Sequence, residues 1–231
     1  MKGHTAVRKI YPCLFLLLSL VLTSCRYTNI RQEVFYAGIT NNISDYKVQS
    51  IALLPIAPDD TTQNGTYFST NRFYNILFES YPSIYIAEID SIRKYDTSIV
   101  PEVARILEKT KKFDLEKFYQ TDLGHDLMTN DYDAILLGVV DSVDSAFTFY
   151  ISPESESLGN GWFKSCIFKY FLVSLKDGRI LWMTRCKGIE ITSQSDYVTS
   201  GYPPLDAAIS KGIDEMVYYL PIEIFKMEKS E

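Results

Sequence analysis

The sequence contains little histidine, and this scarcity excludes several kinds of active site. Its two histidines are His4 and His125. Because His4 falls in a segment that we predict to be removed, one histidine remains, which cannot supply a two-histidine metal site. No motif supplies the serine and aspartate that a catalytic triad through it would need. His125 lies between Asp122 and Asp126 in a predicted helix, a setting typical of a solvated surface residue.

Motifs for phosphate binding and hydrolysis are also absent. The chain has no Gly-rich phosphate loop, no Gly-x-Ser-x-Gly elbow and no His-Glu-x-x-His helix. Four acidic residues crowd one region, but their spacing matches no known calcium loop, so we interpret them as solvated charges. They are Asp122, Asp126, Asp131 and Asp133. We therefore predict no catalytic residue, no metal site and no cofactor, and a protein that is not an enzyme.

The longest apolar run lies near the amino terminus. Residues 10–22 are apolar over 13 positions and follow the basic residues Lys2, Arg8 and Lys9. A helix needs about 20 residues to cross the hydrocarbon layer of a bilayer. A basic segment, a short apolar core and small residues before a cut are the parts of a secretory signal peptide. We predict that residues 1–24 are a cleaved signal peptide.

The run ends in Leu22-Thr23-Ser24-Cys25, which resembles the bacterial lipobox. Cleavage between Ser24 and Cys25 would leave a thiol that can carry a diacylglyceryl group and an amine that can take a third acyl chain. Each buried methylene contributes ~0.8 kcal/mol, so two or three chains make a stable anchor. The alternative is an ordinary signal peptide that is cut near a cysteine. Arg26, in place of an aspartate, would direct an enteric-type lipoprotein to the outer membrane, facing the periplasm.

Charge and aromatic content bear on the partners of the mature chain. Removing three positive charges from a formal net charge of −6 leaves 207 residues with a charge of −9. An acidic protein is a poor partner for nucleic acid, and we predict none. Seventeen tyrosines and thirteen phenylalanines can fill a core or, where exposed, contact another protein. Residues 150–162 and 197–202 are candidate contact surfaces, the alternative being loops that only connect strands.

For the remaining chain we predict one domain of residues 47–222, preceded by a flexible tether at 25–46 and followed by a charged tail at 223–231. Apolar patterns predict strands at 48–56, 84–89 and 131–140, and helices at 69–80, 100–110, 114–128 and 204–220. The turn Lys176-Asp177-Gly178-Arg179 predicts a hairpin of residues 164–175 and 180–190. The sequence thus predicts an α/β (α+β) fold. Its central mixed sheet has about five strands, with a β-α-β opening, a C-terminal hairpin and a packed last helix.

The hairpin also positions two cysteines. A turn centred on Asp177-Gly178 pairs Lys169 with Cys186. Cys166 then lies three residues from facing Cys186 and on the opposite face of the sheet. We therefore expect two unlinked thiols, and Cys166 has no identifiable base that would make it a nucleophile.

Three motifs together resemble a known superfamily. They are Ile51-Ala52-Leu53-Leu54-Pro55, a helix leading into Tyr132-Asp133-Ala134-Ile135-Leu136-Leu137-Gly138, and a hairpin reading Val173-Ser174-Leu175-Lys176-Asp177-Gly178-Arg179-Ile180-Leu181-Trp182. Their order is similar to that of the periplasmic lipoprotein domains related to the curli-export lipoprotein and the amino-terminal domain of TolB. The resemblance implies an α/β domain with a last helix packed on the sheet. We interpret the chain as a lipid-anchored exported lipoprotein that works by binding a protein partner, as an assembly or accessory component of the cell envelope.

The same resemblance leaves other functions open. One alternative is a homo-oligomeric subunit of an export or secretion complex, and another is an envelope hydrolase. The pore-forming members carry long membrane-crossing hairpins, for which only residues 147–151 and 164–190 are candidates here. Because the second segment is predicted to belong to the core, the sequence does not predict a pore.

Overall fold

The computed structural model describes residues 32–39, 45–56, 67–87, 112–151, 158–193 and 201–225, and positions 103, 106, 107, 109, 110 and 196. Within them the chain forms six strands and four α-helices. The strands are β1 (Glu33–Ile39), β2 (Ser50–Leu53), β3 (Tyr85–Ile86), β4 (Ala134–Ile151), β5 (Leu158–Ser174) and β6 (Ile180–Ser193). The helices are α1 (Tyr67–Ser80), α2 (Leu115–Tyr119), α3 (Asp122–Thr129) and α4 (Leu205–Met216), followed by 3-10 turns at Val217–Tyr219 and Ile222–Phe225.

The six strands form one mixed sheet in the order β1-β6-β5-β4-β2-β3. Antiparallel pairing joins β4 to β5, β5 to β6 and β6 to β1. β2 is parallel to both β3 and β4, and α1 connects β2 to β3. The predicted α/β class, β-α-β opening and C-terminal hairpin are confirmed. The sheet has one strand more than predicted, and β3 is shorter than the strand expected at 84–89.

The sheet is covered by helices on both faces. Residues 134–140 of β4 are all buried, as the continuous apolar run predicts for a strand with no solvent-facing side. On one face, which we call the α1/α4 face, the core includes Phe73, Phe168, Tyr170, Trp182, Ile209 and Ile213. On the other, the α2/α3 face, it includes Phe113, Phe118, Leu123, Leu127, Phe171 and Val173.

The last helix packs on the sheet as its periodicity predicts. Pro204 is the N-cap of α4. Apolar side chains recur along one side of α4 and are buried in the core, as expected for an amphipathic surface helix. They are Ala208, Ile209, Ile213 and Met216.

The helix predicted at 114–128 is two helices. Thr121 separates α2 from α3, and its hydroxyl accepts a hydrogen bond from the Gly124 amide at 3.0 Å and donates one to the Phe118 carbonyl at 2.7 Å. This is a side-chain N-cap, which satisfies an amide that a helix leaves unpaired at its start. A Cβ at position 124 would lie 2.0 Å from the Phe118 oxygen, so the turn between the helices requires glycine.

The register predicted for the hairpin is wrong by one residue. Lys169 faces Arg185, and Cys186 faces Phe168. Cys166 faces Gly188, so the two cysteines lie two positions apart on the same face and not on opposite faces. The difference originates at the turn, because Val173 faces Ile180 where the predicted register pairs it with Trp182. An irregularity between Leu172 and Val173 then reduces the offset from two residues to one. Both thiols are free and buried.

Both ends of the domain extend further than predicted. Part of the segment assigned to the tether forms β1, which is paired along β6 and directs Val34 against the core. Part of the segment assigned to the charged tail is also structured, because Ile224 and Phe225 are buried and the Ile224 carbonyl accepts a hydrogen bond from the Val48 amide at 3.1 Å. The predicted signal peptide, Cys25, residues 88–102 and the final six residues lie outside the described residues.

Candidate functional site

The outer parts of β4 and β5 form a hairpin that we call the arm, residues 142–151 and 158–167. It begins at a β-bulge, where the pairing of β4 with β5 skips Asp141 between Val140 and Ser142. β6 accompanies β5 along the arm as far as the pair formed by Gly161 and Ser193. Beyond the bulge the side chains of β4 alternate between the two faces, so that Phe147 and Phe149 share one face.

Four aromatic side chains form a continuous group on the arm, which we call the arm cluster: Phe147, Phe149, Trp162 and Tyr202. The ring centroid of Phe147 lies 6.0 Å from that of Phe149 and 5.3 Å from that of Trp162. The ring centroids of Trp162 and Tyr202 lie 4.7 Å apart. Phe147, Phe149 and Tyr202 are 40–46% exposed. Leu158, which is also exposed, lies on the same face at the start of β5. Exposed apolar groups of this kind mark interaction surfaces.

The arm cluster joins the two segments that the sequence indicated as contact surfaces. Trp162 closes the first segment, Tyr202 closes the second, and their rings meet edge to face. Tyr197 lies outside the described residues. The sequence reasoning missed Phe147 and Phe149, although an aromatic residue at every second position of 147–150 indicates an aromatic face of a strand.

The base of the arm carries an ion-pair network on the opposite, α2/α3 face. The carboxylate of Asp141 accepts hydrogen bonds from the Lys169 ammonium at 3.1 Å and from Arg185 Nη2 at 2.8 Å. Partial burial acts to raise the pKa of Asp141, but the hydrogen bonds from Arg185 and Lys169 outweigh it and hold that pKa below its usual value. The Arg185 guanidinium also lies 5.1 Å from the centre of the Phe35 ring. The network joins β4, β5, β6 and β1 at the base of the arm.

A polar pocket lies at the other end of the sheet, beside the turn between β5 and β6. It has a volume of ≈ 470 Å³ and is lined in part by Tyr46, Asp133, Asp177 and Arg179. The Asp133 carboxylate accepts hydrogen bonds from the amides of Gln49 and Ser50 at 2.8 and 2.9 Å, so it fixes the start of β2 against β4.

The second carboxylate of this pocket is also engaged within the protein. Asp177 accepts a hydrogen bond from the Tyr46 hydroxyl at 2.5 Å and pairs with Arg179 Nε at 3.3 Å. Burial acts to raise the pKa of Asp177, but the hydrogen bonds from Tyr46 and Ser174 bring it below its usual value. These carboxylates therefore serve the local fold, and their arrangement indicates no reaction.

The residues weighed for chemistry are not assembled into a site. His125 is exposed, as predicted. Among the described residues no group of acidic, histidine or cysteine side chains could hold a metal ion, and Asp133 is engaged with the backbone of β2. Burial raises the pKa of Cys186 to about 11, which leaves little thiolate at neutral pH. Ser24 and Cys25 lie outside the described residues.

The helices of the described ranges are all too short or too polar to cross a membrane.

Comparison with known proteins gives likeness of fold only. No protein-family model and no curated protein sequence matches the chain. Among solved structures, the PelC dodecamer from Paraburkholderia phytofirmans is similar with a TM-score of 0.44 and 9% identity, over 82% of this chain and 97% of that one. Lipoprotein GNA1162 from Neisseria meningitidis is similar with a TM-score of 0.38 and 15% identity, over 62% of this chain and 83% of that one.

A third similar structure is the hypothetical protein CT253 from Chlamydia trachomatis, with a TM-score of 0.46 and 10% identity, over 77% of this chain and 97% of that one.

Proposed function

We propose that this protein is a lipid-anchored exported lipoprotein that acts as a non-catalytic binding or assembly component of the bacterial cell envelope. The anchor is supported by the basic residues, the short apolar core and the sequence Leu22-Thr23-Ser24-Cys25. Arg26 after the lipidated cysteine supports sorting to the outer membrane, with the domain in the periplasm. The lipid partner of the chain is then the membrane itself, held through Cys25.

One observation carries the binding role: exposed aromatic residues are concentrated at the two opposite ends of the sheet. The arm cluster lies at one end. At the other, which we call the turn end because it holds the turn between β5 and β6, Tyr218 is 82% exposed and Tyr85 and Tyr219 are also exposed. Tyrosine is enriched at protein interfaces because it offers a large apolar ring and a polar tip.

We assign the protein partner to the turn end. α4 begins beside the arm, where Tyr202 touches Trp162, and ends near the start of β6, where the Tyr219 carbonyl accepts a hydrogen bond from Trp182 Nε1 at 2.8 Å. Tyr218 therefore lies at the end of the sheet opposite the arm. It also lies opposite the side from which β1 enters the sheet.

Lipid labelling tests the anchor. Cells that express the natural chain or Cys25→Ser are given a fatty-acid analogue and separated into membrane and soluble fractions. We expect a labelled band in membranes for the natural chain, and an unlabelled, soluble product for Cys25→Ser. A labelled band that is unchanged by the substitution would show that the anchor is elsewhere.

Crosslinking tests the partner. A photoreactive amino acid is placed at Tyr218 and, as a control, at Lys211, which is exposed on α4 away from the turn end. We expect a discrete crosslink to a different envelope protein from position 218 and none from position 211. A ladder of multiples of the chain would support a homo-oligomeric subunit instead, and no crosslink from position 218 would refute the assignment.

A further inference from the structure

The chain enters the sheet from the side of the arm. β1 is antiparallel to β6, with Glu33 opposite Lys187 and Ile39 opposite Trp182. From Ile39 back to Glu33, the chain therefore runs towards the carboxyl end of β6. The Gln32 side-chain amide continues in this direction and donates a hydrogen bond to the Ile189 carbonyl at 3.5 Å. That direction is the one in which the arm projects, because the end of β6 lies beside the arm.

The reach of the chain limits how far the anchor can lie from the arm. Gln32 lies seven positions after Cys25, and seven steps along the chain span at most about 25 Å when fully extended. Ile189 faces Ser165, and Leu158 lies seven residues further towards the tip of the arm, which is about 23 Å along a strand. When this stretch is fully extended along the arm, Cys25 therefore lies level with the arm tip. Any shorter extension along the arm places Cys25, and the membrane that holds it, beside the arm.

We propose, on the basis of the proposed lipid anchor, that the arm cluster rests in the headgroup layer of the membrane that holds Cys25. Tryptophan and tyrosine favour this layer because their rings are apolar and their N–H or O–H groups can bond to water and headgroups. Phe147 and Phe149 add apolar surface on the same face. The opposite face at the base of the arm holds the charged network of Asp141, which favours water.

Charge does not drive this contact. Lys164, the basic residue of the arm on the face of the cluster, faces Glu190 across the strand pair. The chain that begins at Cys25 has a formal net charge of −9, which disfavours approach to anionic lipid. The arm therefore contacts neutral lipid as well as or better than anionic lipid, in contrast to a peripheral protein that binds through basic residues.

Tryptophan fluorescence tests the proposal, because the sequence has two tryptophans in contrasting positions. Trp162 belongs to the arm cluster, and Trp182 is fully buried in the core. The full lipidated chain and its Trp182→Phe and Trp162→Phe variants are reconstituted into phosphatidylcholine vesicles with and without brominated acyl chains. Flotation first reports whether the anchor holds the protein on the vesicles, so a failure of the anchor is seen separately from a failure of the arm.

We expect the Trp162 emission of floated protein to shift to the blue and to lose intensity with brominated lipid, while Trp182 changes in neither respect. Phe147→Ser/Phe149→Ser should reduce the quenching of Trp162, and Tyr218→Ser at the turn end should leave it unchanged. If Trp182→Phe does not fold, the difference between the natural chain and Trp162→Phe gives the same signal.

Two results would overturn the proposal. One is floated protein whose Trp162 stays open to aqueous iodide and is not quenched by brominated lipid. The other is shielding of Trp162 only after detergent-extracted envelope proteins are added, which would make the arm a protein-binding surface. A dependence of the quenching on anionic phosphatidylglycerol would contradict the neutral contact described above.

Discussion

Gly188 of β6 lies directly against the backbone of Ala208 in α4. A Cβ placed on Gly188 would come within 1.8 Å of the Ala208 carbonyl oxygen and 3.0 Å of the Gly212 amide nitrogen. The close approach of α4 to the sheet is therefore possible only because residue 188 has no side chain. Neighbouring backbone cannot move as a flexible side chain does, so the contact tolerates no substitution.

Gly188→Ala should destabilise the domain by about 1–3 kcal/mol, because overpacking forces the helix away from the sheet. Urea unfolding monitored by Trp182 fluorescence measures the effect. Gly38→Ala is the matched control, since a Cβ at that position of β1 has no atom within 4 Å. A stability of Gly188→Ala equal to that of the control would show that α4 does not approach the sheet as described.

Asp141→Asn should destabilise the domain by about 2 kcal/mol at neutral pH, because Lys169 and Arg185 would lose the carboxylate charge that they share. The Lys169 side chain is only 7% exposed, so water cannot replace the lost carboxylate. Asp141→Asn/Lys169→Met should recover part of the loss, since it removes both charges.

The pH dependence of this pair has a definite sign. The pKa of Asp141 is lower in the folded protein than its ordinary value. The carboxylate therefore stabilises the fold at pH values above its unfolded pKa, and this contribution is lost as the pH falls through the folded pKa. The difference in the free energy of unfolding between the natural chain and Asp141→Asn should shrink between about pH 5 and pH 2. A constant difference over this range would contradict the role of the charge.

Elements with strong local signals could be predicted from the sequence, and those that depend on pairing could not. The buried run of β4, helix α1 and the apolar side of α4 each have an apolar pattern, continuous in β4 and helical in the other two, that one stretch of chain displays by itself. β1 has no such signal, because the edge of β6 supplies its partners. The network of Asp141, Lys169 and Arg185 also required knowledge of the bulge, since one extra residue changes which side chains meet.

The candidate contact surface was predicted only in outline for the same reason. Trp162 and Tyr202 were each indicated by aromatic composition, but their contact depends on the packing of α4 beside β5. The direction of the chain before β1, which relates the predicted anchor to the arm, depends on the pairing of Glu33 with Lys187.

Cys166 and Cys186 should be unreactive towards a maleimide in the folded protein. Both are fully buried, and burial raises the pKa of Cys186 to about 11. On a chain of residues 26–231, which lacks Cys13 and Cys25, labelling should follow the unfolded fraction, which is on the order of 10⁻³ to 10⁻⁶ for a stable domain. Since diagonal neighbours on adjacent strands have Cβ atoms roughly 7 Å apart, a 166–186 disulfide should not form without movement of the backbone. An intact 166–186 bond in non-reducing mass spectrometry would contradict the pairing of Cys166 with Gly188.

Phe225→Ala should destabilise the domain by about 3–5 kcal/mol, although residue 225 belongs to a segment whose composition indicates a charged tail. Phe225 is buried, and its ring centroid lies 5.0 Å from that of Tyr81, at the end of α1. The substitution would leave a cavity between the carboxyl-terminal turn and the helix that follows β2.

Phe78→Ala is the matched control, because Phe78 is 57% exposed on the same helix and its truncation should destabilise the domain far less. Thermal unfolding compares the two variants, and removal of residues 226–231 should leave the melting temperature near that of the full chain. An equal decrease in melting temperature for Phe225→Ala and Phe78→Ala would show that the carboxyl-terminal turn is not part of the core.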